Sequence, residues 1–133
     1  MKKDEIAVIV CEPNRDAYRA TVLTGYRSFR DEVGGYYQEF PLSKHIWLIC
    51  NEAGRTRFAP CRFANLYRGT QWSIIFGRFF FCAKDKEKRF VSLNEEQAEW
   101  VLKNYAPAEQ FAKGRGGSYL AEKFETHKNQ RKR

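Results

Sequence analysis

The chain has 133 residues, which is the size of one domain and excludes a multidomain enzyme. Hydrophobic residues make up 43% and aromatic residues 16% of the chain, and this composition excludes disorder of the whole chain. The formal net charge of +8 favours a polyanionic partner, and the alternative is that the excess of lysine and arginine only keeps the protein dispersed.

The first half of the chain predicts strands interrupted by one short helix. Thr24 is expected to cap this helix, because Tyr26, Phe29 and Val33 follow at helical spacing. Gly34 and the glycine after it supply the left-handed stop that a helix end favours. Four apolar or alternating segments predict strands, at residues 6–11, 16–23, 36–40 and 45–50.

The second half predicts one long strand, a short strand and a second helix. Residues 72–82 are expected to form a single strand with Gly77 as a bulge, and the three consecutive phenylalanines at 79–81 place it inside the sheet. A charged hairpin loop and a short strand at 89–91 follow. Ser92 and Glu95 fit a capping box for a helix that ends near Tyr105.

These elements predict an α+β fold with a mixed, mainly antiparallel sheet, two short helices and a basic C-terminal tail. The α+β domain is assigned to residues 1–110 and a basic, flexible tail to residues 111–133. No apolar segment approaches the roughly 20 residues of a membrane span, and the N-terminus lacks the pattern of a signal peptide. We therefore expect a cytoplasmic protein with no membrane partner.

The cysteines predict buried thiols rather than a metal site. No CxxC or CxxxC pair exists, and three of the four lie within or at the end of apolar runs. We expect reduced cysteines, no metal and no cofactor. The alternative is a zinc site formed across the sheet, with His45 as an additional ligand of Cys11, Cys50, Cys61 and Cys82.

Positive charge is concentrated in two blocks. Residues 55–89 carry nine basic and two acidic side chains, and residues 111–133 carry seven and two. The segment between them, residues 90–110, carries one basic and four acidic side chains. Partner contact is therefore assigned to the two basic blocks, through Arg55, Arg57, Arg62, Tyr67, Arg68, Arg131, Lys132 and Arg133.

Five motifs stand in a fixed order along residues 6–105: VGGYYQEFPL, WLICNEAGR, FAPCRFAN, IIFGRFFFC and FVSLNEEQAEWV. In this order they resemble an uncharacterised domain-of-unknown-function family that is common on bacteriophages and conjugative elements. That family reads roughly VGGYIE, ICNEEG, LPxNR, IxGxFF and SLTDEQ, and residues 61–65 depart from its proline–asparagine–arginine core. The resemblance implies an accessory protein of a mobile element and supplies no catalytic residues.

Catalysis is not expected from the residues themselves. The chain has only two histidines: His127 lies in the basic tail, and His45 begins an apolar strand, where a structural role is the alternative to catalysis. The most suggestive polar cluster is Asn51 and Glu52 beside Arg55 and Arg57, for which a capped turn is the alternative to chemistry. Phosphate-loop spacing is absent. We expect a protein that is not an enzyme.

Two binding functions follow. The first is inhibition of a host defence system, in the manner of an anti-CRISPR protein, by binding an effector protein or ribonucleoprotein or its guide RNA through the basic surface. The alternative is a protein that binds RNA or DNA for replication, transfer or regulation of the element, with arginines on phosphates and aromatic rings on bases.

Overall fold

The computed structural model describes residues 4–66, 71–113 and 119–121, and in this part the fold is α+β. Every strand pairing found there is antiparallel. The helices are α1 (Tyr26–Val33), α2 (Gly54–Arg57) and α3 (Glu95–Tyr105), with a 3-10 turn at Ser43–His45. The strands are β1 (Glu5–Glu12), β2 (Arg15–Leu23), β3 (Tyr37–Pro41), β4 (Ile46–Asn51), β5 (Pro60–Leu66), β6 (Gln71–Phe76), β7 (Phe79–Lys84), β8 (Phe90–Val91), β9 (Phe111–Lys113) and β10 (Tyr119–Ala121).

The main sheet has the order β2-β1-β7-β4-β3, and β8 pairs with the end of β7. The predicted central position of the phenylalanine triplet is confirmed, because Phe81 pairs with Ile9 on one side and with Leu48 on the other. Phe79 and Phe81 face the core cluster that includes α3 and the β5–β6 hairpin, whereas Phe80 faces the cluster that includes α1. Each fully buried phenylalanine contributes roughly 1.5–3 kcal/mol through burial alone.

The prediction of a single strand over residues 72–82 is wrong. The chain leaves β6 at Phe76, turns at Gly77 and Arg78, and enters β7 in a different sheet. Gly77 has a φ of 80°, and a Cβ there would lie 2.7 Å from the Phe58 ring. The turn therefore requires glycine, both for its backbone conformation and for its close contact with Phe58.

Both predicted N-caps are shifted by one or two residues. Helix α1 has Gly25 at its N-cap and no side-chain cap, so Thr24 does not cap it. Helix α3 is capped by Asn94, whose side chain accepts a hydrogen bond from the Gln97 amide while the Gln97 side chain accepts one from the Asn94 amide. The capping box exists, but its members are asparagine and glutamine.

The end of α1 follows the prediction. Gly34 has a left-handed φ of 82°, and its amide donates a hydrogen bond to the carbonyl of Arg30. Strands β9 and β10 pair with each other inside the segment that the sequence assigned to the tail. None of the helices in the described ranges is long and apolar enough to cross a membrane.

Candidate nucleic-acid interface

The turn after β4 is fixed by the side chain of Asn51. Its Nδ2 donates a hydrogen bond of 3.1 Å to the carbonyl of Val33, and its Oδ1 accepts one of 2.7 Å from the amide of Ala53. Asn51 is buried. The capped-turn interpretation is therefore correct for Asn51, and the same side chain joins the turn to the end of α1.

Helix α2 packs against the two glycines that end α1. A Cβ at Gly34 would lie 3.0 Å from the Phe58 ring, and a Cβ at Gly35 would lie 2.8 Å from Nη1 of Arg57. Gly54 opens α2 in similarly close contact, because a Cβ there would lie 2.7 Å from the carbonyl oxygen of Phe76. Four of the five sequence motifs, through VGGY, CNEAGR, FAPC and IIFG, thus meet around this one short helix.

This packing brings four arginines from two separate segments to the surface around α1 and α2: Arg27 and Arg30 line one cleft, Arg57 lies against Gly35 of that cleft, and Arg55 lines a second cleft. Two come from α1 and two from α2, and the tyrosines at the beginning and just beyond the end of α1 lie beside Arg30. Both tyrosines are 57% exposed. We call this surface the arginine face; it consists of Arg27, Arg30, Arg55, Arg57, Tyr26 and Tyr36.

The four arginines of this face differ from the other arginines in the described ranges. None of the four has a carboxylate oxygen of a described residue within 4.0 Å, and none of their guanidinium groups donates a hydrogen bond to a described residue. Asp31 and Glu52 lie nearby but form no ion pair with them. The remaining described arginines are either paired with carboxylates, as are Arg15, Arg19, Arg78 and Arg89, or buried, as is Arg62.

Aromatic rings support three of these four guanidinium groups. The Arg30 guanidinium carbon lies 4.4 Å from the centre of the Tyr36 ring and 5.6 Å from that of Tyr26. Arg57 lies 5.2 Å from the Phe58 ring and Arg55 lies 5.8 Å from the Phe76 ring. Stacked guanidinium groups lose less freedom on binding and keep their planar donors available for phosphate oxygens.

Two clefts flank α2. One, of about 540 Å³, is lined by Arg27, Arg30, Asp31, Gly34 and Gly35, and we call it the Arg30 cleft. The other, of about 460 Å³, lies between the end of β4, α2 and the β5–β6 hairpin, and Arg55 lines it. Arg57 lies beside Gly35 at the edge of the Arg30 cleft, whereas Arg55 lines the other cleft.

Arg62 does not belong to any partner-binding surface, which corrects the assignment made from charge. Its side chain is fully buried, at 0% exposure. The guanidinium donates hydrogen bonds of 2.8 Å to the carbonyl of Tyr105 and 2.7 Å to that of Arg15. It also donates to the carbonyls of Glu12, Cys61 and Ala106.

Of the other predicted contact residues, Arg55 and Arg57 lie on the arginine face and are exposed. Tyr67, Arg68, Arg131, Lys132 and Arg133 lie outside the described residues. The sequence analysis missed Arg27 and Arg30. Asp31 follows Arg27 at the i+4 spacing of a helical ion pair, so the pattern indicates a neutralised helix surface, whereas the structure contains no such pair.

The four cysteines are free and buried. Burial raises the pKa of Cys11 and of Cys50 to about 12, and it raises the pKa of Cys61 and Cys82 as well. No three cysteine, histidine or acidic side chains in the described ranges are grouped so that they could hold a metal ion. The alternative of a zinc site is therefore not supported by the arrangement of these residues.

The fold and the arginine face together define a small α+β protein whose described surface carries a group of arginines without carboxylate partners beside two exposed tyrosines. Residues 5–106 match the family model described as Domain of unknown function (DUF3846), and the chain belongs to this family. Searches of curated proteins and of solved structures give no match.

Proposed function

We propose that this protein is a non-catalytic accessory protein of a mobile element that inhibits a host defence ribonucleoprotein by binding its guide RNA through the arginine face. The observation that carries the proposal is the clustering of arginines that have no carboxylate partner. Four arginines in the described ranges form no ion pair and donate no side-chain hydrogen bond to a described residue. All four lie in α1 or α2.

Unpaired arginines retain their full attraction for phosphate. An arginine already paired with a carboxylate must give up that partner before it binds an anion, whereas the arginines of the arginine face do not. The planar fork of each guanidinium matches phosphate oxygens, and several such contacts supply an affinity that decreases steeply with salt. The exposed rings of Tyr26 and Tyr36 add surfaces on which unpaired bases stack.

Helix α3 is a less favourable surface for RNA than the arginine face. Helix α3 carries Glu95, Glu96 and Glu99, of which the first two pair with Arg19 and Lys44. The carboxylates of this helix already hold Arg19 and Lys44, so these two cations are less available to a polyanion than the arginines of the arginine face. A host defence target is proposed because the chain resembles proteins of phages and conjugative elements. A basic surface can bind guide RNA, whereas imitating DNA would require an acidic surface.

Two matched variants test the proposal. The face variant replaces Arg27, Arg30, Arg55 and Arg57 by glutamine. The control variant replaces Lys44, Lys86, Lys88 and Lys103, which are exposed, by glutamine and so removes the same number of positive charges elsewhere. Lys86 and Lys88 lie in the turn after β7, at the opposite end of the sheet from α2.

The variants are expressed in a bacterium that carries an active RNA-guided defence system and is challenged with a phage which that system targets. The wild-type protein and the control variant are expected to restore plaque formation and to co-purify with the guide RNA. The face variant is expected to do neither. If plaque numbers do not rise with the wild-type protein, or if the face variant restores them fully, the proposal is wrong.

A further inference from the structure

The cleft beside Arg55 has an aromatic wall and a polar edge, and Arg55 is the residue that it shares with the arginine face. Its volume of about 460 Å³ falls within the range of clefts that bind small molecules. We call it the Trp72 cleft; its lining includes Gln38, Glu52, Arg55, Phe63, Trp72 and Ser73.

The aromatic wall is a parallel stack. The rings of Phe63 and Trp72 lie with their centroids 5.1 Å apart and their planes inclined by only 15°. Trp72 belongs to β6 and Phe63 to β5, and the pairing of Asn65 with Trp72 and of Phe63 with Ile74 holds the two rings in diagonal positions across the hairpin. The antiparallel hairpin therefore fixes two stacked aromatic rings at one side of the cleft.

The polar edge offers both donors and acceptors. Gln38 contributes an amide, Ser73 a hydroxyl and Glu52 a carboxylate, and Arg55 adds a positive charge. A purely apolar ligand would leave these groups without partners, and a bare anion would make no use of the aromatic stack. A flat heteroaromatic ring with hydrogen-bonding edges and an attached phosphate uses all of them.

We infer that the Trp72 cleft binds one unpaired nucleobase of an RNA strand whose phosphates lie on the arginine face. The inference rests on the proposed function and adds that the RNA is recognised as a single strand. Helix α2 connects the two sites. Its Arg55 lines the Trp72 cleft, and its Arg57 lies against Gly35 at the edge of the Arg30 cleft. Bases in a duplex are stacked within the helix and cannot enter such a cleft.

The test compares two fluorescein-labelled strands by fluorescence anisotropy: a twelve-nucleotide oligouridylate and an abasic ribose-phosphate strand of the same length. Full-length wild-type protein is expected to bind the oligouridylate more tightly. Trp72→Ala is expected to weaken oligouridylate binding by roughly 5- to 100-fold, the range found when one base-stacking ring is removed, and to leave abasic-strand binding unchanged. Trp72→Phe retains a ring and is expected to restore most of the affinity.

A second measurement does not depend on truncating Trp72. In the variant Trp47→Phe/Trp100→Phe, Trp72 is the remaining tryptophan, and oligouridylate is expected to quench its fluorescence more strongly than the abasic strand does. Equal affinity of the wild-type protein for the two strands, or equal quenching by them, would overturn the inference while the proposed function stands. Failure of the wild-type protein to bind either strand would instead overturn the proposed function.

Discussion

At the scale of single residues, arginine is a buried structural side chain at position 62 and an exposed surface side chain at position 57. Arg62 is enclosed by backbone carbonyls, whereas Arg57 is exposed and donates no hydrogen bond to a described residue. Sequence spacing cannot separate these roles, since both arginines lie in one basic segment. The carbonyls that Arg62 binds come from the β1–β2 turn and the end of α3, and only the folded chain brings these together with β5.

Replacing Arg62 by methionine is expected to lower the free energy of unfolding by about 3–5 kcal/mol, because buried carbonyl groups lose their donors. Arg62→Lys is also expected to be destabilising, since an ammonium cannot reproduce the planar fork. Arg55→Met, on the surface, is the matched control and should change stability by less than about 0.5 kcal/mol. Urea denaturation measures all three, and unchanged stability of Arg62→Met would contradict the structural role of Arg62.

The buried thiols predict a loss of stability in alkali. Their pKa is raised in the folded state, to about 12 for Cys11 and Cys50, whereas the ordinary thiol pKa is about 8.5. The folded state therefore retains thiol protons that the unfolded state releases. This contribution is fully present below the ordinary thiol pKa and is lost as the pH rises toward the folded value.

Urea denaturation under reducing conditions between pH 9 and pH 11 is expected to show a decrease of the free energy of unfolding with pH. In Cys11→Ala the decrease should be smaller, by about 1.4 kcal/mol per pH unit, because one titrating thiol has been removed. The same pH dependence in Cys11→Ala and the wild-type protein would show that Cys11 ionises equally in both states.

At the scale of elements, the sequence predicts what periodicity and turn residues encode locally. The central position of residues 79–81 and the stop at Gly34 are local signals, and both are confirmed. The division of residues 72–82 into two strands is not local. It depends on Phe58 packing against Gly77 and on Arg78 pairing with Glu12 and Glu32, which are distant in the chain.

Gly77→Ala tests the turn between β6 and β7. It introduces a Cβ at a left-handed φ and within 2.7 Å of the Phe58 ring, so we expect a loss of roughly 2–5 kcal/mol from backbone strain and overpacking combined. Gly77→Ala in a Phe58→Ala background is the matched control, because the positive φ remains while the ring that the Cβ would meet is removed. Thermal or urea denaturation should show a smaller loss in the Phe58→Ala background; equal losses in the two backgrounds would contradict the contact with Phe58.

At the scale of the whole molecule, the candidate interface is assembled from segments that the sequence does not join. Helix α1 supplies two arginines and the residues after β4 supply the other two, and Asn51 connects these segments by its hydrogen bond to Val33. Counting charge along the chain assigns partner contact to residues 55–89, which include Arg55 and Arg57. It could not find Arg27 and Arg30, since residues 1–54 are nearly neutral as a whole.

The Trp72 cleft is also a product of the assembled molecule. Its wall comes from the β5–β6 hairpin, and Gln38 and Arg55 come from β3 and α2. The hairpin itself could not be predicted while residues 72–82 were interpreted as one strand. An aromatic stack between Phe63 and Trp72 follows only from the register of β5 with β6.

The dependence of RNA binding on salt tests the central claim most directly. The logarithm of the binding constant for a single-stranded RNA is measured against the logarithm of the salt concentration, for the wild-type protein, the face variant and the control variant. Each lost phosphate contact should make the slope less steep by about 0.7, so the face variant is expected to lose up to about 3 in slope while the control variant keeps the wild-type slope. Equal slopes for the face variant and the wild-type protein would contradict the assignment of RNA binding to the arginine face.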